Sequence, residues 1–100
     1  MTVKLLMTWN IKPGREQEYF EFIVQEFIPV LERLGLRAED AWFTVYGDYP
    51  QILTSVLAES LDDVERALAS PEWKQVADRL QDFVSDFEYK VVEARPGFQL

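Results

Sequence analysis

With no Cys and no His, the side chains left for chemistry are aromatic, amide and carboxylate groups. Trp9, Trp42, Tyr46, Trp73 and Tyr89 each join a large apolar face to one polar tip, which suits them to hold a small apolar or aromatic molecule. Asn10 adds an amide that can hydrogen-bond a developing oxyanion. Packing offers a competing role for these residues. Trp9 and Trp73 lie on apolar faces, as core aromatics do. Trp42 and Tyr46 share a strand face with Thr44 and Asp48, which fits a pocket or a barrel interior equally. Asn10 falls on the strand face opposite Trp9, beside a turn where Asn is ordinary.

The missing residue types exclude whole classes of chemistry. Without Cys there is no disulfide framework, thiolate nucleophile or Cys-based zinc site, and without His the commonest general base and metal ligand are gone. Asp62 and Asp63 read as charge at a helix start, and the other acids as solvated faces, so neither a metal site nor a cofactor is expected. There is no Gly-rich phosphate loop and no nucleophile elbow. Lys and Arg number 10 against 18 Asp and Glu, a net charge of -8 that repels phosphate backbones, so no nucleic-acid partner is expected. Residues Met1 to Thr8 lack the pattern of a secretory leader and no apolar run reaches membrane-spanning length, which points to the cytoplasm and away from a membrane. At 100 residues, 48% of them hydrophobic and 14% aromatic, the chain reads as one globular domain, 1–100, whose small core makes a partner subunit attractive.

The elements that must position these residues follow from periodicity. Val3, Leu5, Met7, Trp9 and Ile11 alternate with Lys4, Thr8 and Asn10, which predicts a strand that Lys12-Pro13-Gly14 stops. From Arg15 to Leu34, residues Phe20, Ile23, Val24, Phe27, Leu31 and Leu34 recur at three- and four-residue spacing and predict a helix with one apolar stripe, ended at Gly35. Pro29 clashes with the carbonyl of Gln25, so a kink or split is expected between them that leaves the stripe in place. Phe22 projects away from this stripe and reads either as a stray exposed residue or as an oligomer contact beside Tyr19. Trp42 to Tyr49 and Ile52 to Ala58 predict a hairpin, the second strand being uncharged enough to lie inside a sheet. Ser60 caps a helix with Asp63 in the reciprocal position, and Ser70-Pro71-Glu72 starts a second piece carrying Trp73, Val76, Ala77, Leu80, Phe83 and Val84. A last strand runs from Phe87 to Ala94.

The order strand, helix, strand, strand, helix, strand is the α+β arrangement of ferredoxin-like βαββαβ domains, a four-stranded antiparallel sheet with two helices on one face. The other face, with Leu6, Val92 and parts of the hairpin, is too apolar for water alone and predicts a homodimer packed sheet against sheet. Trp9-Asn10-Ile11-Lys12-Pro13-Gly14-Arg15-Glu16, Tyr46-Gly47-Asp48, Glu59-Ser60-Leu61-Asp62-Asp63 and Ala69-Ser70-Pro71-Glu72-Trp73 together resemble the dimeric α+β-barrel superfamily. NIPSNAP-like and antibiotic-biosynthesis-monooxygenase-like proteins are the nearest in pattern, and the resemblance spans nearly the whole chain.

What the resemblance implies is a dimeric α+β barrel with a ligand cleft between each sheet and its helices, lined here by Trp9, Asn10, Trp42, Tyr46, Trp73 and Tyr89. In cofactor-free monooxygenases of that kind, such side chains hold a phenolic substrate that itself supplies electrons to oxygen. Haem-degrading relatives use a histidine ligand, which this chain lacks. Two functions stay open: a dimeric barrel protein binding a small apolar or aromatic molecule, or a cofactor-independent monooxygenase acting on a phenolic or polyketide-type substrate. The first is preferred, because no residue set here is demanded by chemistry rather than by packing, and whether the chain is an enzyme stays undecided at this point.

Overall fold

The computed structural model describes residues 2–43 and 52–93, with residues 40–43 described by their backbone alone. Strand β1 (Val3–Ile11) leads into α1 (Glu16–Phe22), a wide π turn (Ile23–Phe27) and α2 (Ile28–Arg33). Strands β2 (Arg37–Phe43) and β3 (Ile52–Ala58) follow, then α3 (Leu61–Ala69), α4 (Pro71–Leu80) and β4 (Val84–Glu93). The strands form one four-stranded sheet in the order β2-β3-β1-β4, antiparallel at every pairing. This is the ferredoxin-like arrangement read from the sequence, with β3 inside the sheet as expected and β1 beside it.

Along β1 every second residue is buried and those between are half-buried, so the helices cover one face only. Val3, Leu5, Met7, Trp9 and Ile11 form the sheet side of the core, and Val30, Leu31, Val64, Val76 and Leu80 are buried on the helix side. The turn after β1 has Gly14 at φ 83, and Gly35 at φ 80 closes α2, with Leu36 N–H donating to the Leu31 carbonyl over 2.9 Å. Both need the left-handed backbone that glycine enters without steric cost. Ser60 accepts from the Asp63 N–H and caps α3. Ser70 does two tasks: its Oγ donates to the Ala67 carbonyl at 2.7 Å and accepts from the Trp73 N–H at 3.2 Å, closing α3 and opening α4 on one hydroxyl.

The helix stripe differs from the sequence reading. Phe20 is 54% and Val24 67% exposed, while Phe22 is 4% exposed; Phe22 is therefore a core residue, neither stray nor an oligomer contact. The cause is the π turn, where the Ile28 N–H reaches back to the Ile23 carbonyl, five residues instead of four. One extra residue per turn advances the phase, so the buried set becomes Tyr19, Phe22, Phe27, Val30 and Leu31, with a five-residue step from Phe22 to Phe27. Pro29 sits in the first turn of α2, so the interruption expected between Gln25 and Pro29 is present. A wide turn keeps the proline ring off the preceding carbonyls.

The strands also begin earlier than their patterns suggest. β2 starts at Arg37 instead of Trp42, and β4 at Val84 instead of Phe87, so Phe83 lies in the turn after α4 and Val84 in the sheet. The β2–β3 connection and Tyr46 lie outside the described residues. Because Phe22 and not Phe20 faces the core, Phe22→Ala is expected to cost about 3–5 kcal/mol and Phe20→Ala less than about 1 kcal/mol in chemical denaturation. The reverse ranking would contradict the phase set by the wide turn.

Candidate functional site

The sheet-to-helix interface holds a connected wall of rings. Trp9, on the covered face of β1, is 1% exposed and meets Phe27 edge-on at 5.9 Å and Phe87 at 6.0 Å between centroids. Trp73, at the start of α4, lies 6.2 Å from Phe27 and 6.4 Å from Phe87, which closes a ring of four aromatics. Phe87 continues to Tyr89 at 6.1 Å, and Tyr89 is 51% exposed. The wall thus runs from the core to solvent at β4, an edge strand of the sheet. Offset and edge-on contacts at these separations each add about 0.5–1.5 kcal/mol beyond burial.

A bulge makes the wall. The β1–β4 register skips between Thr8 and Asn10, and Asp86 within that skip has φ 56, a value that Asp tolerates better than most residues. The extra residue flips side-chain parity. Val84 pairs with Ile11 on the covered face, and beyond the bulge Tyr89 and Val91, paired with Met7 and Leu5, return to that face together with Phe87. Asn10 Nδ2 donates to Asp86 Oδ2 at 3.0 Å, on the side of the sheet away from Trp9.

Tyr19, on α1, anchors the wall at its buried end. Trp9 Nε1–H donates to the Tyr19 hydroxyl at 2.9 Å, and the rings lie edge-on at 6.3 Å. Burial pushes the Tyr19 phenol up from 10.0 to about 12, partly offset by the hydrogen bond from Trp9, so the group is a neutral phenol at physiological pH. Among the described residues its hydroxyl hydrogen has no acceptor. No motif marked Tyr19 in the sequence; its place beside Phe22, off the regular stripe, hid it.

The residues singled out from sequence therefore divide. Trp9, Trp73 and Tyr89 come together in one wall. Asn10 does not join them, because it bonds Asp86 on the other face. Trp42 pairs with Leu53 through the backbone, but its side chain, like all of Tyr46, lies outside the described residues. Two surface grooves lie elsewhere. One of about 230 Å³ runs between α2 and α4, bridged by the Arg33–Glu72 and Arg79–Glu26 ion pairs. The other, about 590 Å³, gathers Arg33, Arg37 and Arg66 at the end of the sheet. Of the candidates whose side chains are described, Trp9, Trp73 and Tyr89 line neither groove. Among the described residues no cluster of acids is arranged to hold a metal ion, and no helix is long and apolar enough to cross a membrane.

The fold has many solved counterparts. A NIPSNAP family protein from Agrobacterium tumefaciens superposes with a TM-score of 0.75 at 19% identity, covering 100% of this chain and 99% of that one. An uncharacterized NIPSNAP-like domain protein from Burkholderia xenovorans gives 0.70 at 18% identity over 99% of this chain and 90% of that one. An ethyl tert-butyl ether d (EthD) family protein from Bacillus halodurans gives 0.71 at 17% identity over 95% and 100%. No protein-family model and no curated protein sequence matches the chain. The NIPSNAP-like resemblance read from the sequence is thus borne out as a fold, and at these identities fold is what the likeness carries.

The Tyr19 phenol gives a pH test. Between pH 10 and about 12 the unfolded chain releases this proton while the folded one keeps it. Its contribution is complete below pH 10 and is lost as pH rises to about 12, roughly 2 kcal/mol in all. Tyr19→Phe is expected to be less stable at neutral pH, since it leaves the Trp9 N–H buried without an acceptor at a cost of about 1–3 kcal/mol. Its stability should also fall less between pH 10 and 12 than that of the wild type; parallel alkaline profiles would contradict the assignment.

Proposed function

We propose that this fold, shared with NIPSNAP and EthD family structures, serves here as a homodimer that binds a small apolar or aromatic molecule against the ring wall of each subunit. The observation that carries the reading is the continuity of that wall, from buried Trp9 through half-buried Phe87 to half-exposed Tyr89. Contiguous rings that end in solvent present an apolar face on which a planar ligand gains area burial and ring contact together. Isolated exposed aromatics are ordinary; one in tilted ring contact with a buried cluster is a platform. Wild-type protein is expected to bind naphthalene in an NMR titration that shifts Trp9 and Tyr89 resonances, and Tyr89→Ala to weaken it about tenfold. Unshifted Trp9 and Tyr89 signals up to the solubility limit of naphthalene would remove this reading.

The homodimer rests on the open face of the sheet. Leu6, Leu53, Leu57 and Val92 are half-buried there, rows apart by the register that pairs Leu6 with Ser55 and Lys4 with both Leu57 and Val92. Ser55, 1% exposed, donates to Glu39 Oε1 at 3.2 Å, and Lys4 Nζ pairs with the same oxygen at 3.3 Å. Ser55, Glu39 and Lys4 thus satisfy one another, and Leu6, Leu53, Leu57 and Val92 are the apolar side chains this face offers a second sheet. Native mass spectrometry is expected to report a dimer, and Leu6→Lys with Leu53→Lys a folded monomer. A monomeric wild type at micromolar concentration would overturn the dimer.

A cofactor-independent monooxygenase acting on phenolic or polyketide-type substrates is the second reading, favoured by one observation: the wall contains a polar group, the neutral Tyr19 hydroxyl. Oxygen uptake with a panel of polyphenols, abolished in Tyr19→Phe, would select it, whereas binding without uptake selects the binding protein.

A further inference from the structure

We infer that the groove at the end of the sheet binds a small monocarboxylate with an apolar tail, its carboxylate held by Arg37 and its tail laid on Leu34 and Leu57. This site is separate from the ring wall and stands independently of the reading above.

The charges of the groove leave one cation over. It has a volume of about 590 Å³, opens to solvent and gathers Arg33, Arg37 and Arg66. Arg33 Nε donates to Glu72 Oε2 at 3.2 Å, and Arg66 Nη1 to Asp63 Oδ1 at 3.1 Å, so each of these two guanidiniums has its counter-charge. Among the described residues the Arg37 guanidinium has neither an ion pair nor a hydrogen-bond acceptor. Asp and Glu number 18 in the chain, yet no described one is set against it. A guanidinium presents its N–H donors in a planar fork that matches both oxygens of a carboxylate. An anion from outside the chain therefore supplies the partner that the chain withholds.

The rest of the lining selects the type of anion. Arg37 opens β2 and stands opposite Leu57 of β3, and directly opposed residues share one face of a sheet with Cβ atoms about 4.5–5.5 Å apart. Leu57 and Leu34 both line the groove and are half-buried, so the cation borders apolar surface that a hydrocarbon tail removes from water. Glu59 lines the groove as well and has no ion pair among the described residues. It opposes a second negative charge, inside a chain of net charge -8. A dicarboxylate or a phosphate dianion meets that repulsion, whereas a monocarboxylate sets its single charge on Arg37 and its tail on the leucines.

The test is an NMR titration at low ionic strength with hexanoate, hexanamide, adipate and inorganic phosphate in turn, read at the Gly35 amide and Leu57 methyl resonances, both of which belong to residues lining the groove. Hexanoate is expected to bind about fivefold more tightly than hexanamide, which has the same tail and no charge; this is the gain of a charge-assisted hydrogen bond that stays partly solvated. Adipate and phosphate are expected to bind more weakly than hexanoate. Arg37 is exposed, so Arg37→Gln keeps the fold and should lose the preference for hexanoate over hexanamide, while Glu59→Gln should bring adipate up to hexanoate. Equal affinity for hexanoate and hexanamide, or a preference that persists in Arg37→Gln, would overturn the inference. Phosphate binding as tightly as hexanoate would mean an adventitious ion only and overturn it too. Unshifted reporters with every probe, as when a second copy of the chain fills the groove, would do the same. Hexanoate shifts confined to Trp9 and Tyr89 would leave the ring-wall reading standing while this one falls.

Discussion

The hydrogen bond from the Trp9 indole to the Tyr19 hydroxyl ties together every other feature of the helix layer. A tryptophan almost wholly removed from water must find an acceptor for its N–H, and here the acceptor comes from a residue that a regular helix would turn outward. If α1 and α2 were one α-helix in phase with Phe27 and Leu31, then Phe20 and Val24 would face the sheet, and Tyr19 and Phe22 would face water. The five-residue step of the π turn reverses this choice. It exposes a Phe and a Val in exchange for burying a Phe and a Tyr, so the apolar area gained is modest. The deciding term is polar: the other phase would leave the Trp9 N–H unmade, at about 1–3 kcal/mol. Pro29 lowers the cost of the exchange, because it could not have donated to the carbonyl of Gln25 in either case.

The bulge at Asp86 solves the corresponding problem in β4. A strand entered at Val84 with strict alternation would carry Asp86 and Glu88 onto the covered face and send Phe87 and Tyr89 to the open one. One inserted residue in left-handed backbone restores the aromatic set, and the Asn10–Asp86 hydrogen bond holds the bulge from the far side of the sheet. Asn10 is thus a structural neighbour of the wall, acting through the position of Phe87. Both irregularities, the wide turn and the bulge, add one residue to an otherwise periodic element, and both deliver aromatic side chains to the same place. Such insertions are found disproportionately near functional sites because they re-aim side chains that the periodic backbone cannot.

The same two insertions explain how far the sequence could be read. Regular features were legible: the alternation of β1, the uncharged interior strand β3, the Ser60 and Ser70 caps and the topology all follow from period and punctuation, and Trp9, Trp73 and Tyr89 were picked out by residue type. The α1 register was not, because Phe20, Ile23, Val24 and Phe27 make a complete α-helical stripe by themselves, and a five-residue step from Phe22 to Phe27 corresponds to no regular period. Pro29 signalled that the ladder would be interrupted, but the expectation that the stripe would stay in place fails, because the π turn advances the phase. Val84 to Asp86 were missed for the same reason, since their parity disagrees with that of Phe87 and Tyr89. Tyr19 stayed hidden behind the first of these errors, although it supplies the acceptor for the Trp9 N–H.

A wall assembled by two departures from periodicity has properties that a periodic core lacks. Its rings are placed by backbone irregularities at opposite ends, α1 and β4, so Phe87 and Tyr89 lie between a well-packed interior and an open sheet edge. The buried end is held by a directional bond, Trp9 to Tyr19, whereas the open end, Phe87 against Tyr89, is held by ring contact. With neither His nor Cys in the chain, the polar groups that the wall itself supplies are the hydroxyls of Tyr19 and Tyr89 and the indole N–H groups of Trp9 and Trp73.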